Sequence, residues 1–284
     1  MILLKNNILK SVLLNKFNTP YNSIPFSKIK PSDFFYSIKE EIKITLIKID
    51  EICSQTDKPS FKNTIEPLSN STEKLKIISG ILFNLNNVET NLEIQKTTKL
   101  ISPILSKFYN DLSLNKKLFR RVKKIYLENK KKLTDEKLSL LNKLYNSFIR
   151  NGALLNEKNK KRLRLIDKKL SLLGLEFGEN LLSDSKIFYI NIKNEKKLLG
   201  IPLTSIELAK DKAKLMNKSG WVFTLDYPSY IPFMKFCEDR DLRKKMSIAF
   251  GKRGFQKNKN NNENIIFQII KFRKERANLL GFES

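Results

Sequence analysis

Apolar residues recur every three or four positions along most of this sequence, which is the spacing of one buried helical face. The longest such pattern begins at Asn156 and runs to Leu181, and it predicts a long helix that forms the spine of its domain. Shorter patterns predict further helices at about 32–52, 64–85, 91–108, 115–132, 135–151, 202–217, 239–250 and 264–280. Strand-like runs are few, so the predicted fold class is mainly α.

Two short apolar runs predict a β-ribbon. Residues 187–192 and 221–225 are rich in β-branched and aromatic side chains, and we expect them to pair with each other. The segment between them, Pro202 to Asn217, is expected to form a helix that packs against this ribbon.

The stretch from Trp221 to Phe250 is the most specialised part of the sequence. Its strand ends at Asp226, and the chain is expected to turn around Pro228. Pro232 suits a first helical turn, which tolerates proline, and Asp239 is predicted to cap a second helix. The residues alone therefore predict a rigid strand-to-helix corner, in which clustered aromatic side chains are expected to form core rather than a site of chemistry.

Several helix ends are predicted from residues that satisfy unpaired backbone groups. Asn63 or Thr64 is expected to cap the second helix, and Thr90 with Glu93 has the pattern of a capping box before the third. Thr134 is predicted to cap the start of a further helix. Gly152 and Gly281 are predicted to end helices, because glycine readily adopts the left-handed backbone found there.

Other features fall inside or between the helices. Pro103 is expected to kink its helix without ending it, because the apolar pattern continues beyond it. Gly174 and Gly178 lie four residues apart in the long helix, which favours close packing against a neighbouring helix. Lys257 to Asn262 is expected to be the most mobile loop.

These patterns divide the chain into three parts. Residues 1–31 comprise a short amphipathic helix over about 1–17 and an extended, proline-rich segment. Residues 32–183 form a helical subdomain, and 184–284 hold the strand–helix–strand corner and the last helices. The first residues do not match a signal peptide, because Lys5 and Lys10 interrupt the apolar run, and the cytoplasm is the expected location.

The composition restricts the chemistry that this chain can perform. The sequence contains no histidine, which is the commonest zinc ligand and the usual general base near neutral pH. Its two cysteines, Cys53 and Cys237, are too few for a zinc site made of thiolates. We expect buried free thiols, although the sequence leaves a disulfide between them open.

The formal net charge of +26 raises the question of a polyanion partner. Lysines occur on almost every predicted helix, and the abundance of Lys, Asn and Ile is typical of AT-biased codon usage. The densest positive run includes Lys116, Lys117, Arg120, Arg121, Lys123 and Lys124, and we expect it to be a solvated helix face. No apolar stretch is long enough for a transmembrane helix, and nucleic acid is not the expected partner.

Six blocks of sequence resemble the thimet-oligopeptidase family of zinc metallopeptidases, in particular its bacterial oligopeptidase A and peptidyl-dipeptidase branch. The most specific block is W-V-F-T-L-D-x-P-S-Y-x-P-F-M, followed by R-x-L-R. The blocks follow the order of the family's N-terminal half and lie at 17–31, 61–66, 148–155, 177–182, 221–243 and 273–282.

The resemblance implies one helical lobe of a two-lobed enzyme that cleaves short peptides in a channel between the lobes. It implies zinc at the level of the family, but the His-Glu-x-x-His motif that binds the metal is absent from this sequence. No catalytic or metal-binding residue of the family can be assigned to any position here, and no substrate-binding residue is identified. We therefore expect the chain to be inactive alone.

Three interpretations remain open at this point. A separate C-terminal catalytic chain carrying the zinc motif could complete the enzyme. The gene could instead be truncated, and its product a relic. The alternative from another class is a basic helical module that binds nucleic acid or another polyanion, which would require a contiguous positive patch and salt-sensitive binding.

Overall fold

A computed structural model describes residues 11–88, 90–129 and 133–284, with only the backbone at position 129. The described residues are mainly helical and include one two-stranded sheet, which confirms the predicted fold class. The strands are β1 (Tyr189–Ile192) and β2 (Trp221–Thr224). The α-helices are α1 (Pro31–Ser54), α2 (Glu66–Ser71), α3 (Glu73–Val88), α4 (Leu92–Ser113), α5 (Lys116–Asn129), α6 (Asp135–Arg150), α7 (Glu157–Ile187), α8 (Leu203–Leu215), α9 (Tyr227–Phe236), α10 (Arg240–Gly251) and α11 (Glu263–Leu279).

The chain folds into two compact units. The first unit comprises the residues up to Leu172 together with Lys271–Ser284, and the second comprises Leu173–Ile270. The long helix α7 contributes residues to both units, as does α11. No helix among the described residues combines the length and apolar character needed to span a membrane.

The core of the first unit forms around α1. One cluster packs Phe34 and Ile38 of α1 against Leu82 and other residues of α3 and α4. A second cluster packs the end of α1 against α5 and α6, where Leu118 and Leu141 are fully buried. The helical spacing predicted eight inward-facing side chains on α3 and α5. Six of them are buried: Leu75, Ile78, Leu82, Leu118, Val122 and Ile125. The other two, Leu85 and Tyr126, are half-buried.

The second unit is built on the predicted ribbon. Strands β1 and β2 pair antiparallel, with Tyr189 opposite Thr224 and Ile192 opposite Trp221. Helix α8 packs on β2, and the core lies between this ribbon and the helices α9 and α10. Both the pairing of the two runs and the helix between them are therefore confirmed.

Two of the predicted helix starts are wrong by one to four residues. The second helix does not begin at Asn63 or Thr64; Ser60 accepts from the Asn63 N–H, and the Asn63 side chain accepts from the Ser60 N–H. This reciprocal pair opens a π-helical turn at Phe61–Ile65, and α2 and α3 follow as separate helices. At the third helix, Asn91 rather than Thr90 accepts from the N–H groups of the first turn.

Several other helix predictions agree with the structure, and one cannot be compared. Helix α4 continues through Pro103, and both Gly152 and Gly281 have the left-handed backbone expected at a helix end (φ +87 for each). Thr134 occupies the cap position of α6 as predicted, but its side chain makes no capping hydrogen bond, so that part of the prediction is wrong. The amphipathic helix predicted at 1–17 lies mostly outside the described residues, and only a short 3-10 turn, Val12–Leu14, is seen within it.

Arg121 does not belong to the solvated basic face on which the sequence placed it. The residue is 8% exposed, and its guanidinium donates to the Gln55 carbonyl (2.9 Å) and to the Thr64 hydroxyl (3.2 Å). It also approaches the Gln55 and Asn63 side-chain oxygens. Arg121 therefore ties α5 to the segment between α1 and α2, because a buried guanidinium requires several acceptors.

The structure does not support close packing at Gly174 and Gly178. A Cβ atom built at either position would meet no described atom within 4 Å. The two glycines are exposed and helical, so each costs about 1 kcal/mol relative to alanine in a helix interior.

We therefore expect the double substitution Gly174→Ala and Gly178→Ala to raise the free energy of unfolding by about 1–2 kcal/mol. The measurement is denaturant unfolding followed by circular dichroism, with the unchanged chain as reference. A loss of stability in the double variant would show instead that these positions need the absence of a side chain.

Candidate functional site

The corner after β2 is held by hydrogen bonds around Asp226. Its carbonyl accepts from the N–H groups of Ser229 and Tyr230, which starts α9. Its carboxylate accepts from the Thr224 hydroxyl (2.9 Å), and the Thr224 N–H donates to the Ser229 hydroxyl (2.9 Å). Thr224, Asp226 and Ser229 thus bond one another, which makes the corner rigid.

The two prolines of the corner lie elsewhere than predicted. Pro228 is not in a turn before the helix but in the first turn of α9, where its missing N–H costs nothing. Pro232 lies inside the helix rather than in its first turn. The helix starts earlier than expected because Asp226 occupies its cap position. Asp239 does cap α10 as predicted, since its carboxylate accepts from the Leu242 N–H (3.0 Å).

Some aromatic residues of the corner form core, whereas Tyr227 (66% exposed) and Phe236 (43% exposed) lie at the surface. The rings of Phe223 and Phe233 have centroids 4.7 Å apart, and Tyr230 stacks on Phe250 at 4.0 Å. Phe233 is fully buried. The first contact fixes α9 against the ribbon and the second fixes it against α10, as expected for a structural corner.

A cavity of about 210 Å³ lies beside the corner, between α8, β2 and the start of α9. Its lining includes Ser205, Lys212, Asp226 and Ser229. A serine nucleophile needs a neighbouring base, and the Ser229 hydroxyl is instead the acceptor for a backbone N–H. The cavity can hold a small polar side chain, but it is not equipped for covalent catalysis.

Asp184 forms a second polar site that the sequence did not indicate. Its side chain, 1% exposed, accepts from the Gly254 N–H (2.8 Å) and from the amides of Asn258 (3.0 Å) and Asn260 (2.9 Å). Burial would raise the pKa of Asp184, but these three hydrogen bonds outweigh it and hold the pKa below its ordinary value. The loop expected to be mobile is therefore anchored on α7, and two of its asparagines, Asn260 and Asn262, are buried.

Two pairs of acidic residues are adjacent in sequence, Glu40–Glu41 and Glu238–Asp239. Neither pair is arranged for general acid–base catalysis. Glu41 is buried while its neighbour Glu40 bonds Lys43 at the surface, because neighbouring helical residues point in different directions. Burial raises the pKa of Glu41, partly offset by Lys74. Asp239 is occupied by its cap contact and by Lys197 (3.6 Å).

The residues present do not fit a zinc ion. The sequence has no histidine, and no group of three or more Cys, Asp or Glu side chains within the described ranges could hold a metal. Cys53 and Cys237 are both free thiols, as expected, and burial raises the pKa of each, which favours the uncharged thiol over the thiolate that binds metal. We derive no catalytic step through a metal on this chain.

Comparison with known proteins gives a consistent set of relatives. No family model matches the chain. It is 29% identical to oligopeptidase A of Haemophilus influenzae over 269 residues, which is 92% of this chain and 39% of that protein. It is 24% identical to oligopeptidase A of Escherichia coli over 96% of this chain and 41% of that protein. A dipeptidyl carboxypeptidase of Salmonella typhimurium is 26% identical over 95% of this chain and 40% of its own length.

The chain spans about two fifths of the length of the curated relatives it matches. The first two of these alignments cover 92% and 96% of this sequence. Over nearly its whole length, the chain is therefore a homologue of part of the oligopeptidase A and dipeptidyl carboxypeptidase proteins, which confirms its resemblance to the thimet-oligopeptidase family.

Proposed function

We propose that this chain is the N-terminal, substrate-positioning part of a zinc-dependent oligopeptidase or peptidyl-dipeptidase that cleaves short peptides. The zinc-binding residues would be supplied by polypeptide outside this sequence, either as a continuation of it or as a separate catalytic chain. The present residues would contribute walls that position a peptide and exclude larger proteins. The observation that carries the proposal is homology to oligopeptidases over more than nine tenths of a chain that has no histidine.

Helix α11 offers a surface for the missing polypeptide. Ile265 faces the core (6% exposed), whereas Ile266, Phe267 and Ile270 are 38%, 65% and 58% exposed. A helix that is apolar on more than one side usually has packing partners on both. We infer that the exposed side is covered by the catalytic part.

The proposed test begins with the gene. Sequencing beyond the codon of Ser284 should reveal a frame that encodes His-Glu-x-x-His, and that polypeptide is then produced with and without the present chain. We expect cleavage of a short fluorogenic peptide only when both parts are present, and we expect a zinc chelator to abolish it. The present chain alone should show no chelator-sensitive cleavage.

A surface variant tests whether the exposed side of α11 binds the catalytic part. Replacing Phe267 and Ile270 with serine should leave the fold intact, because both side chains are exposed, but it should weaken assembly and reduce the restored activity. Chelator-sensitive hydrolysis by the present chain alone would refute the proposal. So would two folded parts that fail to associate.

We propose a cytoplasmic location because one relative, from Arabidopsis thaliana, is named a probable cytosolic oligopeptidase A. We also keep as a proposal the division into residues 1–31, 32–183 and 184–284. The alternative of a nucleic-acid-binding module receives no support from the relatives, which are named as peptidases.

A further inference from the structure

A groove of about 550 Å³ lies in the first unit between α4 and α7, away from the corner. Pro103 and Ile104 of α4 and Leu165 of α7 form its apolar lining, and Leu165 is 54% exposed. The size is that of a site for a few amino-acid residues. The lining side chains repeat every three or four positions on each helix, so one face of α4 and one face of α7 meet at the groove.

Four cations surround this apolar lining: Lys107, Lys161, Arg164 and Lys168. A single carboxylate, Asp111, bonds both Lys107 and Arg164, the latter at 3.0 Å. Four positive charges less one negative charge leave three unneutralised. Lys161 and Lys168 have no ion pair with any residue of the described ranges, and both are exposed.

Asn110 adds a polar group to the groove. Its residue is 7% exposed, and its side chain makes no hydrogen bond to another described residue. The Asn110 side chain therefore keeps two N–H donors and one carbonyl acceptor available at the groove, and these groups complement a peptide main chain.

We propose that this groove binds an acidic peptide segment of a partner protein. The apolar side chains of the peptide would contact the lining, its main chain would bond Asn110, and its carboxylates would pair with Lys161 and Lys168. The charge pattern selects this occupant over a second copy of the chain, because two copies that each carry +26 repel one another. The inference goes beyond the proposed peptidase function and does not depend on it.

The test is fluorescence anisotropy with a labelled peptide of Glu and Leu as the probe. The charge-reversal variant Lys161→Glu with Lys168→Glu should weaken binding about tenfold or more, and the effect should diminish with added salt. Asn110→Ala should weaken binding without changing the charge. Leu165→Ser should weaken the binding of the Glu–Leu peptide. It should leave the binding of polyglutamate unchanged, because polyglutamate has no apolar side chains to contact Leu165.

The matched control is Lys123→Glu with Lys124→Glu, which makes the same change in charge on the exposed side of α5. The control should bind the probe as the unchanged chain does, and circular dichroism confirms the fold of each variant. Equal weakening in the control and groove variants would refute the proposal, because general charge would then explain binding. The absence of peptide binding, or tighter binding of a single-stranded oligonucleotide through Lys161 and Lys168, would also overturn it.

Discussion

Replacing Asp184 with alanine is expected to lower the free energy of unfolding by about 3 kcal/mol, since it removes the shared acceptor of three buried or half-buried donors. Those donors are the Gly254 N–H and the amides of Asn258 and Asn260. Water would replace part of the lost hydrogen bonding in the variant, because the loop lies at the surface. Hydrogen exchange should show faster exchange of the backbone amides mainly in residues 252–262.

The same site predicts how stability depends on pH. The pKa of Asp184 is lowered in the folded protein from its ordinary value of 3.8. The ionised carboxylate thus stabilises the fold above that value, and the contribution is lost as the pH falls through the lower pKa of the folded state. The stability difference between the unchanged chain and Asp184→Asn should be constant near neutral pH and should shrink in acid.

Glu176→Gln is the control for this experiment, because Glu176 lies on the same helix and is exposed. It should leave the free energy of unfolding unchanged within about 0.5 kcal/mol, the usual range for surface substitutions. An Asp184→Ala variant as stable as this control would show that the hydrogen-bonded cluster does not stabilise the loop.

Replacing Gly220 with alanine is expected to disrupt the ribbon on which the second unit is built. Gly220 has φ +83, and a Cβ there would lie 2.2 Å from the Ile192 carbonyl oxygen. The left-handed backbone costs about 1–2 kcal/mol for a residue with a Cβ, and displacing a neighbouring main chain adds about 1–3 kcal/mol. Because Ile192 pairs with Trp221, the displacement would open the end of the β1–β2 pairing.

Asn217→Ala is the control for this substitution. Asn217 also has a left-handed backbone (φ 53), but it already carries a Cβ, so alanine introduces no new contact with the main chain. We expect this substitution to cost less than about 1 kcal/mol, and Gly220→Ala to cost several times more. If denaturant unfolding gave the same stability for the Gly220→Ala and Asn217→Ala variants, the backbone around Gly220 would have to accommodate a Cβ at little cost.

The sequence by itself determined the class of the fold and most of its elements. Helical spacing identified the buried faces of α3 and α5, because burial of apolar surface requires side chains to align on one face. The two β-branched and aromatic runs identified the ribbon and its pairing. Six sequence blocks carried the resemblance that the oligopeptidase relatives support, and the missing histidine excluded the family's zinc site without any structure.

Only the tertiary structure decided the fates of individual polar residues. Arg121 and Arg120 are neighbours in one basic run, yet Arg121 is buried among oxygen acceptors from two other segments. Asp184 acquires its donors from residues about seventy positions away. Such contacts depend on which distant backbone comes close, and no local pattern of hydrophobic and polar positions records that information. The groove between α4 and α7 was hidden for the same reason, since its two faces are separated by more than fifty residues.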